Sequence, residues 1–205
     1  MDKDSFRKIA KKRLLKESKI FAKSKSNKIF DELNFIIKKS GAKNILIYLP
    51  LKFEPNSYYL INKLKNRANF YLPFMQDVNL KLVKLKRPFE KAKFGVMQPP
   101  DQNEQKKRID MAIIPVVGVD GTMARVGHGK GYYDRFFSKL NYRPLIVFVQ
   151  TTALISKQII AQKHDIKGDF YITPTKKYII RGKNDRNFYR TWGGGFRRRS
   201  WLSYQ

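Results

Sequence analysis

The stretch of the chain best suited to chemistry runs from residue 120 to 135 and reads Asp-Gly-Thr-Met-Ala-Arg-Val-Gly-His-Gly-Lys-Gly-Tyr-Tyr-Asp-Arg. It combines alternate glycines, which let a backbone approach an anion closely, with cations and one carboxylate able to bind a metal. The glycines are Gly127, Gly129 and Gly131, and the charged residues are Arg125, Lys130, Asp134 and Arg135. This combination predicts a loop that holds phosphate.

The elements around this loop support the same prediction. An apolar run at 111–119 is typical of a buried strand, and the run at 132–140 is typical of a helix. The loop would therefore present its N–H groups at a helix N-terminus, where anions are favoured. A Gly-x-Gly-x-Gly sequence alone also marks ordinary turns, so it is the strand-loop-helix context that favours a nucleotide site.

Hydrophobic periodicity predicts alternating strands and helices over most of the chain. Helices are expected to start near residues 2–5, 27, 55, 132 and 156, and strands are expected at 44–49, 69–72, 80–85, 111–119, 145–150 and 170–173. The inner faces predicted for the first three helices are Phe6, Ile9, Ala10 and Leu14; Ile29, Phe30, Leu33, Ile36 and Ile37; and Leu60, Ile61 and Leu64. The pattern is typical of an α/β fold with three layers, a Rossmann-like, mostly parallel twisted sheet with helices on both faces. Ligands of such sheets bind beyond the carboxyl ends of the strands, so loops 49–54, 118–131 and 150–155 should converge on one cleft.

Composition excludes several kinds of site. The chain has no cysteine, which excludes disulfides, thiolate metal sites and thiol nucleophiles, and its two histidines are too few for a histidine metal cluster. The N-terminus is charged, and no apolar run approaches the roughly 20 residues of a membrane span. We therefore expect a cytoplasmic protein without membrane contact.

The net charge of +28, from 44 basic and 16 acidic residues, is compatible with nucleic acid, an anionic membrane surface or acidic small substrates. Charge alone does not choose among them, because lysines scattered among Ile, Asn and Phe also arise from codon bias. The length suits one domain, predicted at 1–175, followed by a basic C-terminal extension at 176–205.

Further motifs accompany the loop. They are Tyr-Leu-Pro-Leu-Lys-Phe-Glu at 48–54, Phe-Gly-Val at 94–96, Gln-Pro at 98–99, and His164, Asp165 and Asp169. With the run 120–135, these motifs resemble the 5-formyltetrahydrofolate cyclo-ligase family, also called methenyltetrahydrofolate synthetases. The resemblance extends from the N-terminal Lys3-x-x-Phe6-Arg7 to about Thr173, in the family's order and approximate spacing.

The resemblance implies an enzyme that uses Mg²⁺ and ATP to convert 5-formyltetrahydrofolate, with or without a polyglutamate chain, into 5,10-methenyltetrahydrofolate. The family phosphorylates the formyl oxygen, N10 then closes the ring, and phosphate departs. Phosphoryl transfer depends mainly on positioning and charge neutralisation, which suits a loop rich in glycine and cations. The family also implies a monomer.

The family's motifs imply an ATP site made of an N-terminal basic pair and the loop. These residues are Lys3, Arg7, Arg125, Val126, Gly127, His128, Gly129, Lys130, Gly131, Tyr132 and Tyr133. Lys130 and Arg125 are expected to be catalytic. The compact ammonium group of Lys130 is able to follow the transferring phosphoryl group.

The same motifs imply folate contacts at Leu49 and Glu54 and at His128, Gly129, Lys130, Gly131 and Tyr132. A carboxylate at Glu54 can accept hydrogen bonds from the pterin's amino and ring N–H groups. Tyr132 would pack on a substrate ring, although adjacent tyrosines are also typical of plain core packing.

Asp134 and Asp165 match the family's magnesium carboxylates, and a hard ion held by one or two carboxylates plus nucleotide oxygens is the usual arrangement. Asp134 would alternatively cap the helix that follows Gly131. One departure from the family lies nearby, because Met123 occupies the position of a family glycine. This departure concerns the geometry of the turn at Met123, whereas Asp120, Arg125 and the downstream glycines match the family.

The extension 176–205 does not match the family. It carries nine basic residues against one acid, interleaved with aromatic residues, which suits single-stranded nucleic acid. The preferred interpretation is a flexible or surface-docked tail with a glycine hinge at 193–195, and a third is that its arginines hold the folate glutamate chain. A nucleic-acid-binding protein on this fold is therefore the alternative to the enzyme.

Overall fold

A computed structural model describes residues 1–17 and 22–179 of the chain. Its helices are α1 (Lys3–Glu17), α2 (Ala22–Ser40), α3 (Tyr58–Leu64) and α4 (Tyr132–Ser138). Its strands are β1 (Asn44–Leu46), β2 (Asn69–Gln76), β3 (Asn79–Lys84), β4 (Glu90–Lys91), β5 (Met97–Gln98), β6 (Met111–Pro115), β7 (Gly118–Val119), β8 (Arg125–Val126), β9 (Leu145–Val149), β10 (Phe170–Ile172) and β11 (Lys177–Ile179).

Seven strands form the central sheet, in the order β11-β10-β9-β6-β1-β2-β3. The five inner strands run parallel, and the two edge strands, β11 and β3, are antiparallel to their neighbours. This arrangement confirms the predicted mostly parallel sheet. Because β11 belongs to it, the sheet continues past the predicted domain boundary at residue 175, and the rest of the predicted extension, 180–205, lies outside the described residues.

Helices cover both faces of the sheet. Alternate residues of β1 point to opposite sides, so Ile45 packs with the apolar faces of α2 and α3, whereas Leu46 packs in the cluster that contains Phe136 of α4. A third cluster joins Phe6, Ala10 and Leu14 of α1 to the segment after β6. The predicted inner faces of α2 and α3 are confirmed, but Ile9 of α1, predicted to face inward, is 62% exposed.

Several predicted boundaries need correction. The helix predicted from Asn27 starts at Ala22, and the strand predicted at 111–119 ends at Pro115 before the chain turns into β7. The connection 86–109 contains a small hairpin of β4 and β5 around a 3₁₀ turn at Lys93–Gly95. Loop residues 100–108 also contact the sheet edge, since the Gln105 N–H donates to the Leu82 carbonyl at 2.8 Å.

The helix predicted over 156–162 is absent. The Asp120 carboxylate accepts the N–H groups of Ile160 (3.2 Å) and Ala161 (2.9 Å), and Asp165 accepts that of Gln162 (2.6 Å). These amides bond to side chains instead of to helical carbonyls. Ile159, within this segment, is 69% exposed.

Candidate active site

A cavity of about 880 Å³ lies beyond the carboxyl ends of β1 and β6. Segments 48–54 and 128–133 form two of its walls, the hairpin of β2 and β3 contributes Met75 and Leu80, and the β4–β5 hairpin contributes 94–97. Two of the three predicted loops therefore converge. The third, 150–155, does not line the cavity, and instead Thr152 donates to Glu17 of α1 at 2.5 Å.

The segment 125–134 connects β8 to α4 and follows a turn in which Met123 occupies the family's glycine position. Met123 adopts the left-handed conformation, with φ of 60°, and its side chain is buried. This conformation costs an L-residue roughly 1–2 kcal/mol. The Asp120 side chain holds the turn by accepting the N–H groups of Thr122 (2.9 Å) and Ala124 (3.1 Å), so methionine retains the geometry that glycine favours.

Each of the three loop glycines lies against an arginine. A Cβ atom on Gly127 would lie 2.6 Å from Nη1 of Arg125, and one on Gly131 would lie 2.9 Å from Nη1 of Arg135. A Cβ on Gly129 would lie 3.5 Å from Cζ of Arg7. Gly127 and Gly131 therefore make room for guanidinium groups, a reason for their presence that the sequence does not reveal, whereas a Cβ on Gly129 would make only ordinary van der Waals contact with Arg7.

Arg125 and Asp134 form a buried ion pair. Arg125 Nη2 donates to Asp134 Oδ2 at 2.7 Å, Asp134 Oδ1 accepts the Ile166 N–H at 3.2 Å, and the guanidinium lies 5.2 Å from the Tyr133 ring centre. Burial raises the pKa of Asp134, but the charge and hydrogen bond of Arg125, with smaller contributions from Ile166 and Lys3, lower it below its usual value. Asp134 is thus held ionised.

The first turns of α1 bring the predicted basic pair to this cluster. Lys3 forms an ion pair with Asp165, and Arg7 donates through Nε to the Gly127 carbonyl at 2.8 Å while pairing with the exposed Asp4. The structure therefore gathers Lys3, Arg7 and the loop, as predicted, although they are more than 100 residues apart in the chain.

The two carboxylates proposed for magnesium are engaged by protein groups. Asp165 bonds to Lys3 and to the Gln162 N–H, and both oxygens of Asp134 accept hydrogen bonds. Within the described part of the chain no three His, Asp or Glu side chains cluster closely enough to hold a metal. Magnesium is usually bound by one or two carboxylates together with nucleotide oxygens, so these two carboxylates alone would supply only part of its coordination.

Glu54 lies at the inner end of the cavity. Its side chain is 5% exposed, and its Oε2 atom accepts the Leu51 N–H at 2.9 Å, while Oε1 lies 3.4 Å from Nε2 of the half-exposed His128. Burial raises the pKa of both Tyr48 and Tyr133, and the Glu54 charge raises them further. The carboxylate therefore lies among neutral phenols.

Lys130 occupies the rim. Its ammonium lies 5.1 Å from the ring centre of Phe94, which is 59% exposed and adopts a left-handed conformation with φ of 63°. Within residues 1–17 and 22–179 no carboxylate pairs with Lys130. The family motif at 94–96 was the signal that could have placed Phe94 in the site, and three further lysines lining the cavity were not predicted: Lys11, Lys52 and Lys91.

The remaining predicted residues differ in their access to the cavity. Leu49, Gly131, Tyr132 and Tyr133 line it. The Tyr132 hydroxyl donates to the Asp77 carbonyl at 2.9 Å, and Tyr133 stacks on Phe137 within the core. Val126 is fully buried in the α1 cluster, so its expected contribution to ATP binding is limited to its main chain.

A sequence model of the 5-formyltetrahydrofolate cyclo-ligase family matches residues 2–174. The chain belongs to this family. The matched residues include strands β1 to β10, both cavity walls and every predicted site residue.

Individual relatives support this assignment. The 5-formyltetrahydrofolate cyclo-ligase of Saccharomyces cerevisiae is 30% identical over 113 residues, which are 52% of this chain and about half (53%) of the yeast protein. That of Mycoplasma genitalium is 28% identical over 155 residues, covering 71% of this chain and 82% of the relative. The NMR structure of an Aquifex aeolicus 5,10-methenyltetrahydrofolate synthetase shares the fold, with a TM-score of 0.72 and 23% identity over 90% of this chain and 95% of its own.

None of the helices within residues 1–17 and 22–179 is both long and apolar enough to cross a membrane.

Proposed function

We propose that this protein converts 5-formyltetrahydrofolate into 5,10-methenyltetrahydrofolate with ATP as co-substrate, releasing ADP and phosphate. One observation supports the proposal most directly: the cavity is lined both by a buried carboxylate, Glu54, and by the exposed ammonium of Lys130, with which no carboxylate of residues 1–17 and 22–179 pairs. Family membership supports the reaction class. The Glu54 carboxylate would suit the N–H groups of the pterin ring, and the Lys130 ammonium would suit a phosphoryl group.

The pterin is proposed to bind at the inner end. The Glu54 carboxylate can accept hydrogen bonds from N–H groups; one of its oxygens is already fixed by the Leu51 N–H, and the other faces His128. Leu49 and Tyr132 line the same space and offer apolar contact to the folate rings. His128 then lies between the pterin pocket and the phosphate loop, close to both substrates.

The phosphoryl group is proposed to transfer beside the loop. The formyl oxygen attacks the γ-phosphorus and ADP leaves; N10 then bonds to the formyl carbon, loses its proton, and the C–O bond to phosphate breaks. Lys130 would neutralise charge that develops on the transferring group. The nucleotide phosphates would be held by Arg125, Lys3, Arg7 and the loop amides of 127–131. Tyr133 packs against the Arg125 guanidinium and Val126 packs in the α1 cluster, so both support the loop.

Magnesium would be held by Asp134 and Asp165 together with phosphate oxygens, and when bound it would neutralise phosphate charge. Asp165 can bind magnesium only when the Lys3 ammonium leaves it for a phosphate group, because that ammonium contacts both oxygens of Asp165.

We also propose that the protein is a cytoplasmic monomer and that it uses polyglutamylated substrate. The described residues offer no observation that favours nucleic-acid binding, and the arginines on which it depends lie outside them.

The test is to incubate the purified protein with 5-formyltetrahydrofolate, Mg²⁺ and ATP and to follow methenyltetrahydrofolate by absorbance. We expect ATP-dependent product from the parent and little from Lys130→Ala. Lys139→Ala, which removes an exposed lysine directly after α4, is the matched control and should retain activity. A folded parent protein that binds ATP but forms no product would overturn the proposal.

A further inference from the structure

Side chains on one face of α4, and the lysine that follows it, form hydrogen bonds with the turn between β2 and β3. Tyr132, Arg135 and Lys139 are spaced so that they lie on the same side of the helix. The Tyr132 hydroxyl donates to the Asp77 carbonyl at 2.9 Å, and Lys139 Nζ donates to Asn79 Oδ1 at 2.7 Å. The turn at 77–79 therefore contacts α4 at more than one point.

Arg135 makes the central contact and differs from the other two. Its Nε and Nη2 atoms donate to the Val78 carbonyl at 2.8 and 2.6 Å, and Nη2 also donates to the Lys130 carbonyl at 2.8 Å. One guanidinium thus joins the hairpin turn to the main chain of the phosphate loop. The sequence suggested that the positive charge of Arg135 would help to hold phosphate, but in the structure its guanidinium donates hydrogen bonds to main-chain carbonyl groups.

The bridge joins two walls of the cavity. Met75 and Leu80 line it from the β2–β3 hairpin, whereas Lys130 and Gly131 line it from the loop. Gly131 is part of the arrangement, because its left-handed φ of 64° and missing Cβ leave the space that Arg135 Nη1 occupies. No other side chain of α4 contacts both walls among the described hydrogen bonds.

We propose that Arg135 is a positioning residue that fixes the loop main chain at Lys130 relative to the β2–β3 hairpin, an inference that rests on the proposed function for its kinetic consequence. Arginine suits this role because its planar fork presents several donors at once. A lysine at 135 retains the charge but carries a single nitrogen on a flexible stem, so it cannot hold both carbonyls in one fixed geometry.

The structural half of the inference is tested by hydrogen exchange, which needs no activity. Peptides covering 127–131 are compared in the parent, Arg135→Lys and Lys139→Ala. Loss of the bridge should speed exchange of the loop amides about tenfold in Arg135→Lys. Lys139→Ala removes a contact with the same turn but none with the loop, so its loop should exchange as in the parent. Unchanged loop exchange in Arg135→Lys, or equal acceleration in both variants, would overturn the inference.

The functional half is tested by kinetics. We expect Arg135→Lys to lower kcat about tenfold or more with a smaller change in KM for ATP, because a misplaced loop weakens transition-state contacts. In a Lys130→Ala background the same change should cost markedly less, since Arg135 acts through that residue. An unchanged kcat, or equal losses in both backgrounds, would refute positioning. A parent without turnover would count against the proposed function alone, and the exchange result would still decide whether Arg135 fixes the loop.

Discussion

Arg125 and Lys130 are two cations of one loop, five residues apart, but they differ in burial and in the groups that contact them. Arg125 is 6% exposed, its guanidinium bonds to Asp134, and the Tyr133 ring covers it. Lys130 is exposed, and its ammonium rests only on the ring of Phe94 within the described part of the chain. The buried cation is fixed by a partner, and the exposed one remains available.

The difference suggests a division of labour. Burial of the Arg125 guanidinium carries a desolvation cost that the Asp134 carboxylate offsets, so Arg125 helps to shape the loop in addition to lining the cavity. A cation without a fixed partner can approach charge that develops during a reaction, which is the role proposed for Lys130. Replacing Arg125 should therefore affect stability as well as phosphate binding, and replacing Lys130 mainly turnover.

The largest expected effect is on stability, from Asp134→Ala. This change leaves the Arg125 guanidinium buried without its partner and should lower the free energy of unfolding by about 3–5 kcal/mol. Urea denaturation measures the loss. Asp4→Ala is the matched control, because it breaks the exposed pair with Arg7 and should change stability little. Equal losses in the two variants would show that Arg125 does not depend on its partner.

Lys130→Ala should have the next largest effect, on turnover alone. Removing a charge that acts in the transition state typically lowers kcat by about 10²–10³. The unfolding free energy should stay within about 0.5 kcal/mol of the parent, as for other surface substitutions. Steady-state kinetics and urea denaturation of the same preparation check both statements. A large loss of stability would place Lys130 in the framework together with Arg125.

Gly127→Ala should disturb the fixed cation indirectly. The new Cβ would lie 2.6 Å from Nη1 and 2.8 Å from Cζ of Arg125, and the guanidinium cannot move without leaving Asp134. Crowding of this kind costs about 1–3 kcal/mol. Combining the change with Arg125→Met tests the cause, because the additional cost of Gly127→Ala should largely disappear once the guanidinium is gone. A cost that persists would point to the backbone instead.

Phe94→Leu should have the smallest effect. It removes the ring beneath Lys130 but keeps an apolar wall, and an exposed cation–π contact is worth only about 0.5–1 kcal/mol. We expect kcat/KM for the folate substrate to change by no more than about fivefold. A loss as large as that of Lys130→Ala would mean that the ring holds the ammonium in place, and the comparison with Arg125 would weaken.

Much of the fold followed from local pattern. The spacing of Phe6, Ala10 and Leu14 predicted the buried face of α1, and continuous apolar runs predicted β6 and β9, because periodicity records which side of an element is buried. The prediction was wrong at 156–162, where the same kind of pattern was overridden by Asp120, some 40 residues away in the chain. A side chain that captures backbone amides from a distance leaves no local signal.

The candidate site divides in the same way. The sequence by itself determined that a glycine-rich, cationic loop follows a buried strand, and the motif order identified the family. Only the tertiary structure decided that Asp134 pairs with Arg125, that Gly127 and Gly131 make room for arginines, and that Arg135 bonds to main-chain carbonyls. Residue types and spacing determine which chemistry is available, but the pairing of charges depends on which segments meet after folding, and in this chain those segments are distant in sequence.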